Sequence, residues 1–176
     1  LCWSSLGAHH WHDLLPFPYD GANLARVAEK VEAVQDVLAR PLVLENLSAY
    51  MTSTLSTMDE AEFMARLCRR TGCELLLDLN NLAVNEHNFG QDPFAYLSRL
   101  GDAPIAQVHL AGHVVSEGMA IDTHSRAPGE RTWELWRALR RSHPGVPYMI
   151  EWDDDIPEFA VVLAQLHRAG GGDELV

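Results

Sequence analysis

Four short apolar runs, each closing on a residue that can hold a cation, constrain this chain more than any other feature. They are Leu42-Val43-Leu44-Glu45, Leu75-Leu76-Leu77-Asp78, Ile105-Ala106-Gln107-Val108-His109 and Tyr148-Met149-Ile150-Glu151. Stretches with helical spacing separate them, so the pattern reads as repeated βα units around a parallel sheet. In such sheets the C-terminal ends of the strands share one face, and that face carries the chemistry. Carboxylates and imidazoles gathered on one mouth repel one another or go unpaired unless a cation binds among them.

The segments between the runs fit this frame. Residues 3–19 read as a loop rich in aromatics and histidine, with His9, His10 and His12 bordering either the mouth or a partner surface. Asp20 is placed to cap a helix over about residues 21–39, with Leu24, Val27, Val31, Val34 and Leu38 on its inner face. Thr57 and Glu60 have capping-box spacing ahead of a helix that buries Ala61, Met64, Leu67 and Cys68 and stops at Gly72. A loop from Asn80 to Gln91 precedes a short helix begun by Asp92-Pro93 and carrying Phe94, Leu97 and Leu100. After Ala111-Gly112-His113 a further loop runs to about Gly129, and a helix carrying Trp133, Trp136 and Leu139 follows it. The last helix starts near Asp155 and Pro157, with Phe159, Val162, Leu163 and Leu166 inward.

The fold class expected is α/β, a TIM-type (β/α)8 barrel. A closed barrel takes roughly 250 residues, and this chain has 176. It opens on Leu1-Cys2-Trp3, which reads like the end of a strand already under way. Residues 1–176 are therefore expected to form a single domain, the C-terminal half to two-thirds of a barrel whose N-terminal strands lie upstream.

Composition removes several function classes. The net charge is −12, from 25 acidic and 13 basic residues, so no basic face is offered to nucleic acid. No apolar run reaches membrane-spanning length, and no basic-then-apolar start suggests a signal peptide. Three cysteines without C-x-x-C spacing argue against a disulfide framework or a thiolate metal site and fit a reducing cytoplasm.

Each candidate ligand has an ordinary alternative. Glu45 can bridge two cations or simply pair with an arginine. Asp78 follows three leucines on a buried strand, so it needs a partner. Asn80 and Asn81 can supply carbonyl oxygens or make a turn, and His87 can be a surface residue. His109 points into the mouth if the strand continues to it, and His113 stands beside or behind it as Asn46 does behind Glu45. Asp122 and His124 are two apart, so an extended backbone would turn both the same way. Glu151 ends the last run; Asp154 and Asp155 suit a solvated loop and a helix cap. Mixed imidazole and carboxylate donors admit iron, manganese or zinc.

The motifs Leu44-Glu45-Asn46, Asp78-Leu79-Asn80-Asn81, His87-Asn88, His109-Leu110-Ala111-Gly112-His113, Ile121-Asp122-Thr123-His124 and Ile150-Glu151-Trp152-Asp153 resemble, in order and spacing, those of the multinuclear non-heme iron-dependent oxidases. That family is similar to the xylose-isomerase-like barrels and includes the oxidase of methanobactin biosynthesis. The resemblance implies two or three irons held by Glu45, Asp78, His109, Asp122, His124 and Glu151, with His87 and Asn81 added. It also implies O2-dependent oxidation of cysteines in a ribosomally made precursor peptide and a separate partner protein that presents the peptide leader. Two other functions fit the same barrel. A divalent-metal sugar isomerase or epimerase often uses a lysine beside its substrate, and Lys30, the only lysine here, lies on the first helix. A truncated barrel could also serve as a non-catalytic binding module.

Overall fold

In a computed structural model, which describes residues 2–171, parallel strands alternate with helices, the α/β arrangement expected. The chain forms two compact units. One holds the residues up to Leu77 together with Phe94–Ala106, and the other holds Asp78–Pro93 together with the residues from Gln107 on. Among the described residues no helix is long and apolar enough to cross a membrane.

The first unit opens on a hairpin, where a loop was expected. Strand β1 (Trp3–Leu6) pairs antiparallel with β2 (His9–Leu15), with Leu6 opposite His9. The two-residue connection begins with Gly7 at φ +61°, and a glycine at the first central position suits such a turn. Helix α1 (Gly21–Leu38) starts where Asp20 accepts the Asn23 N–H at 2.7 Å. Its buried face is narrower than the periodicity suggested: Ala28 and Val31 are buried, while Val34 and Leu38 are exposed. Strand β3 (Val43–Glu45) runs parallel to β4 (Glu74–Asp78) with Glu45 opposite Leu76. Between them lies α2 (Glu60–Thr71), whose cap is Asp59 rather than Thr57. The Asp59 carboxylate takes the Glu62 N–H at 2.9 Å, the role expected of the Thr57 hydroxyl two residues earlier. Phe63, Met64 and Leu67 are buried, and Cys68 and Cys73 are buried free thiols.

The buried carboxyl of Glu60 accepts the Leu47 N–H at 2.9 Å and the Tyr19 hydroxyl at 3.2 Å. Burial raises its pKa above the ordinary carboxylate value of 4.5. The folded state therefore holds this proton more tightly than the unfolded one, and stability falls as pH climbs from 4.5 toward the raised value. Glu60→Gln, which cannot ionise, is expected to flatten that fall in urea unfolding across the acid range.

The second unit begins with a helix that the sequence did not announce. Helix α3 (Leu79–Phe89) occupies most of the expected loop from Asn80 to Gln91 and stops at Gly90, φ +66°. Helix α4 (Pro93–Leu100) then leads into the first unit, where Tyr96 and Leu100 are buried while Phe94 stays exposed. Strand β5 (Ile105–Leu110) starts in the first unit and ends in the second, where His109 lies opposite Met149 of the parallel strand β8 (Tyr148–Ile150). In place of the loop expected after His113 there is an antiparallel hairpin of β6 (Gly112–Ser116) and β7 (Met119–Arg126). Asn88 of α3 fastens it with two bonds: its side-chain N–H donates to the Ala120 carbonyl at 3.0 Å and its oxygen accepts the Ala120 N–H at 2.8 Å. Helix α5 (Glu130–Ser142) buries Trp133, Trp136 and Leu139 as expected. Helix α6 (Phe159–Gly170) differs, since Phe159 and Leu166 are exposed.

Gly112 is required by close packing. A Cβ there would lie 2.3 Å from the Ala127 carbonyl oxygen and 2.5 Å from that of Arg126, both backbone atoms that cannot swing aside. Gly112→Ala is expected to destabilise the chain by about 1–3 kcal/mol in urea or thermal unfolding.

Candidate metal centre

Asp78, His109, Asp122, His124, Glu151 and Asp153 all belong to the second unit. Asp78 ends β4 and at once caps α3, accepting the Asn81 N–H on Oδ1 at 2.8 Å. Its other oxygen, Oδ2, stands 3.7 Å from His124 Nε2, and the residue is fully buried. His109, near the end of β5, brings Nδ1 to 2.7 Å from Glu151 Oε2. Glu151 follows β8 directly and is anchored by its own N–H, which donates to the Leu110 carbonyl at 3.1 Å. One ligand atom each of Asp78, His109 and Glu151 lies within 4.8 Å of the others.

His124 forms a second focus. Its Nε2 is 2.8 Å from Asp122 Oδ1, and its Nδ1 is 3.1 Å from Glu151 Oε2 and 3.3 Å from Asp153 Oδ2. Ligand atoms of His124, Glu151 and Asp153 also fall within 4.8 Å of one another, so Glu151 belongs to both foci. The backbone is strained here: His124 has φ 45°, the left-handed region, at a cost of order 1–3 kcal/mol. Its carbonyl accepts the Asp153 N–H at 2.9 Å, which holds the turn.

The electrostatics follow from this crowding. Burial works against a charged His124, but its bonds to Asp122 and Glu151 and the nearby Asp78 outweigh it and hold the imidazolium up to about 11. The same contacts act in reverse on Glu151. Its bonds to His109 and His124 bring its carboxyl down to about 2 against the opposing effect of burial. A site of four carboxylates, Asp78, Asp122, Glu151 and Asp153, around two imidazoles thus draws positive charge strongly. Oxygen and nitrogen donors at this spacing fit a hard or borderline divalent ion.

The other sequence candidates are placed as follows. Glu45 closes β3 in the first unit, and Asn46 behind it is buried. Asn81 is buried in the first turn of α3. The His87 ring meets the Gly118 carbonyl at 3.1 Å, at the turn between β6 and β7. His113 directs Nδ1 to Asn80 Oδ1 at 2.8 Å. Asp153 closes the Ile150-Glu151-Trp152-Asp153 motif but is not among the expected ligands, although it stands two residues after Glu151, the same spacing that singled out Asp122 and His124. Asp155 pairs with Arg126 at 3.0 Å.

Residues 1–171 match the family described as RiPP precursor modification enzyme MbnB/TglH/ChrH. The chain belongs to that family. This is the family that its motifs resembled. Among its relatives, the UPF0276 protein of Caulobacter vibrioides is 43% identical over 169 residues, covering 96% of this chain and 60% of the relative. That of Chromobacterium violaceum is 46% identical over 167 residues, covering 93% and 60%. The chain thus spans about 60% of the length of the curated relatives it matches. Among solved structures, a D-psicose 3-epimerase crystallised in the presence of D-fructose superposes with a TM-score of 0.46 at 17% identity, covering 92% of this chain and 58% of that one.

Proposed function

We propose that this chain carries most of the metal site of an O2-dependent iron oxidase that modifies cysteine residues of a ribosomally synthesised precursor peptide. The observation that carries the reading is the shared carboxylate of Glu151, whose Oε2 stands 2.7 Å from His109 and 3.1 Å from His124. A group placed between two imidazoles, with Asp78 and Asp122 beyond them, suits a site for more than one ion. In this reading Asp78, His109 and Glu151 hold one iron, His124 through Nδ1 with Glu151 and Asp153 holds another, and Asp122 is a ligand on the Nε2 side of the same ring. Glu45, Asn81 and His87 complete the set of two or three ions as the family motifs imply. When bound, the irons would supply a redox centre for O2 and a Lewis acid for a substrate thiolate. Asp78, His109 and Glu151 fix that centre, because each is tied to a strand end or a helix cap. Asp78 cannot turn without uncapping α3. Glu151 cannot withdraw without releasing both histidines.

The substrate would be a cysteine-containing peptide, and a leader-binding protein would present it. The test is anaerobic loading of the protein with Fe(II), followed by metal analysis and by O2 uptake with a cysteine-bearing peptide. The reading predicts iron bound in at least two equivalents and peptide-dependent O2 consumption. Retention of zinc with no iron would contradict it.

A further inference from the structure

Asn80 is a fully buried amide that joins Asp122 of the centre to His113. It sits in the first turn of α3, two residues after Asp78, with no exposed surface. Its Nδ2 donates to Asp122 Oδ1 at 2.7 Å, and its Oδ1 lies 2.8 Å from His113 Nδ1. The amide can face only one way. A carboxylate oxygen only accepts, so the nitrogen end must meet Asp122; the reverse would set two acceptors against each other at that distance. The oxygen end then meets His113, which must supply a proton from Nδ1. Burial lowers the His113 pKa below the ordinary imidazole value, against the opposing charge of Asp122, so the ring is neutral near pH 7.5 and its second nitrogen bears a lone pair. Among the described residues nothing bonds to that Nε2.

We propose that Asn80 is a positioning residue. It orients the Asp122 carboxylate by donating to the oxygen that also faces His124, and it locks His113 in the Nδ1–H tautomer so that Nε2 stands open as an acceptor for a substrate donor. The first half rests on the metal-site reading above; the tautomer does not. Free histidine in water favours the opposite tautomer, so the lock is a measurable departure.

The test is nitrogen NMR of the 15N-histidine-labelled protein near pH 7.5, with and without zinc, which keeps the site diamagnetic. His113 is expected to carry its proton on Nδ1 in the parent. Asn80→Leu, which loses both bonds, should switch it to Nε2. Asn80→Asp, which keeps an acceptor for His113 but sets a carboxylate against Asp122, should leave the tautomer unchanged while weakening Fe(II) affinity by about 10–100-fold. A parent His113 protonated on Nε2 overturns the lock without any variant having to fold. Unchanged Fe(II) affinity in Asn80→Asp and Asn80→Leu overturns the orienting role. If the parent bound no iron at all, the oxidase reading would fail while the tautomer result still stood or fell by itself.

Discussion

Glu151→Gln is expected to abolish tight iron binding while leaving the fold in place. The carboxylate is half-buried and its Oε2 serves two imidazoles, at 2.7 Å and 3.1 Å. A glutamine keeps the shape and the backbone bond to Leu110 but loses the charge that draws a cation into either focus. Partners that only orient metal ligands cost about 10–100-fold in affinity when removed. A group shared by two ions should cost no less than the upper end of that range, and the two ions should be lost together. Chelator competition with Fe(II) under anaerobic conditions measures the affinity, and circular dichroism checks that the helices persist. Loss of one ion with normal retention of the other would show that the two foci do not share Glu151.

The second large effect is a steep pH dependence of metal uptake. His124 holds its proton up to about 11, so an ion bound through that ring must displace the proton. Each unit of acidification then weakens uptake at that focus by about tenfold. Titration calorimetry in buffers of different ionisation enthalpy should count close to one proton released at neutral pH by the ion that binds at His124, and His124→Gln should remove that release. Removing the metal exposes the same groups as terms in stability. The His124 value is raised from 6.5, so its contribution is fully present below 6.5 and is lost as pH rises toward 11. The Glu151 value is lowered from 4.5 to about 2, so its contribution is present above 4.5 and is lost as pH falls through 2. Chelator-treated protein should therefore gain most from this pair between 4.5 and 6.5 and soften on either side.

Much of this centre could be read from the sequence because strand ends are local. Asp78, His109 and Glu151 each follow an apolar run, and a parallel sheet gathers the ends of such runs without further instruction. Asp122 and His124 could be read from their two-residue spacing, although the left-handed backbone at His124 could not. What escaped reading was the structure built from polar residues. Asn80 and Asn81 suggested a turn, but Asp78 is itself a helix cap, and the apolar Leu79, Leu82 and Ala83 behind it are buried in α3. The β6–β7 hairpin escaped because its order depends on Asn88, reaching from α3 to bond Ala120, a contact 32 residues away in sequence. The faces of α1 and α6 were overestimated because periodicity reports which residues can be buried, not which are covered.

The central claim is that Asp78, His109, His124 and Glu151 hold more than one iron. Anomalous diffraction at the iron edge, on crystals of anaerobically loaded protein, tests it most directly. Two or more peaks are predicted, one within bonding distance of Asp78, His109 and Glu151 and another beside His124. Crystals of iron-loaded protein with no peak among these side chains, or with iron bound only elsewhere on the surface, would contradict the account.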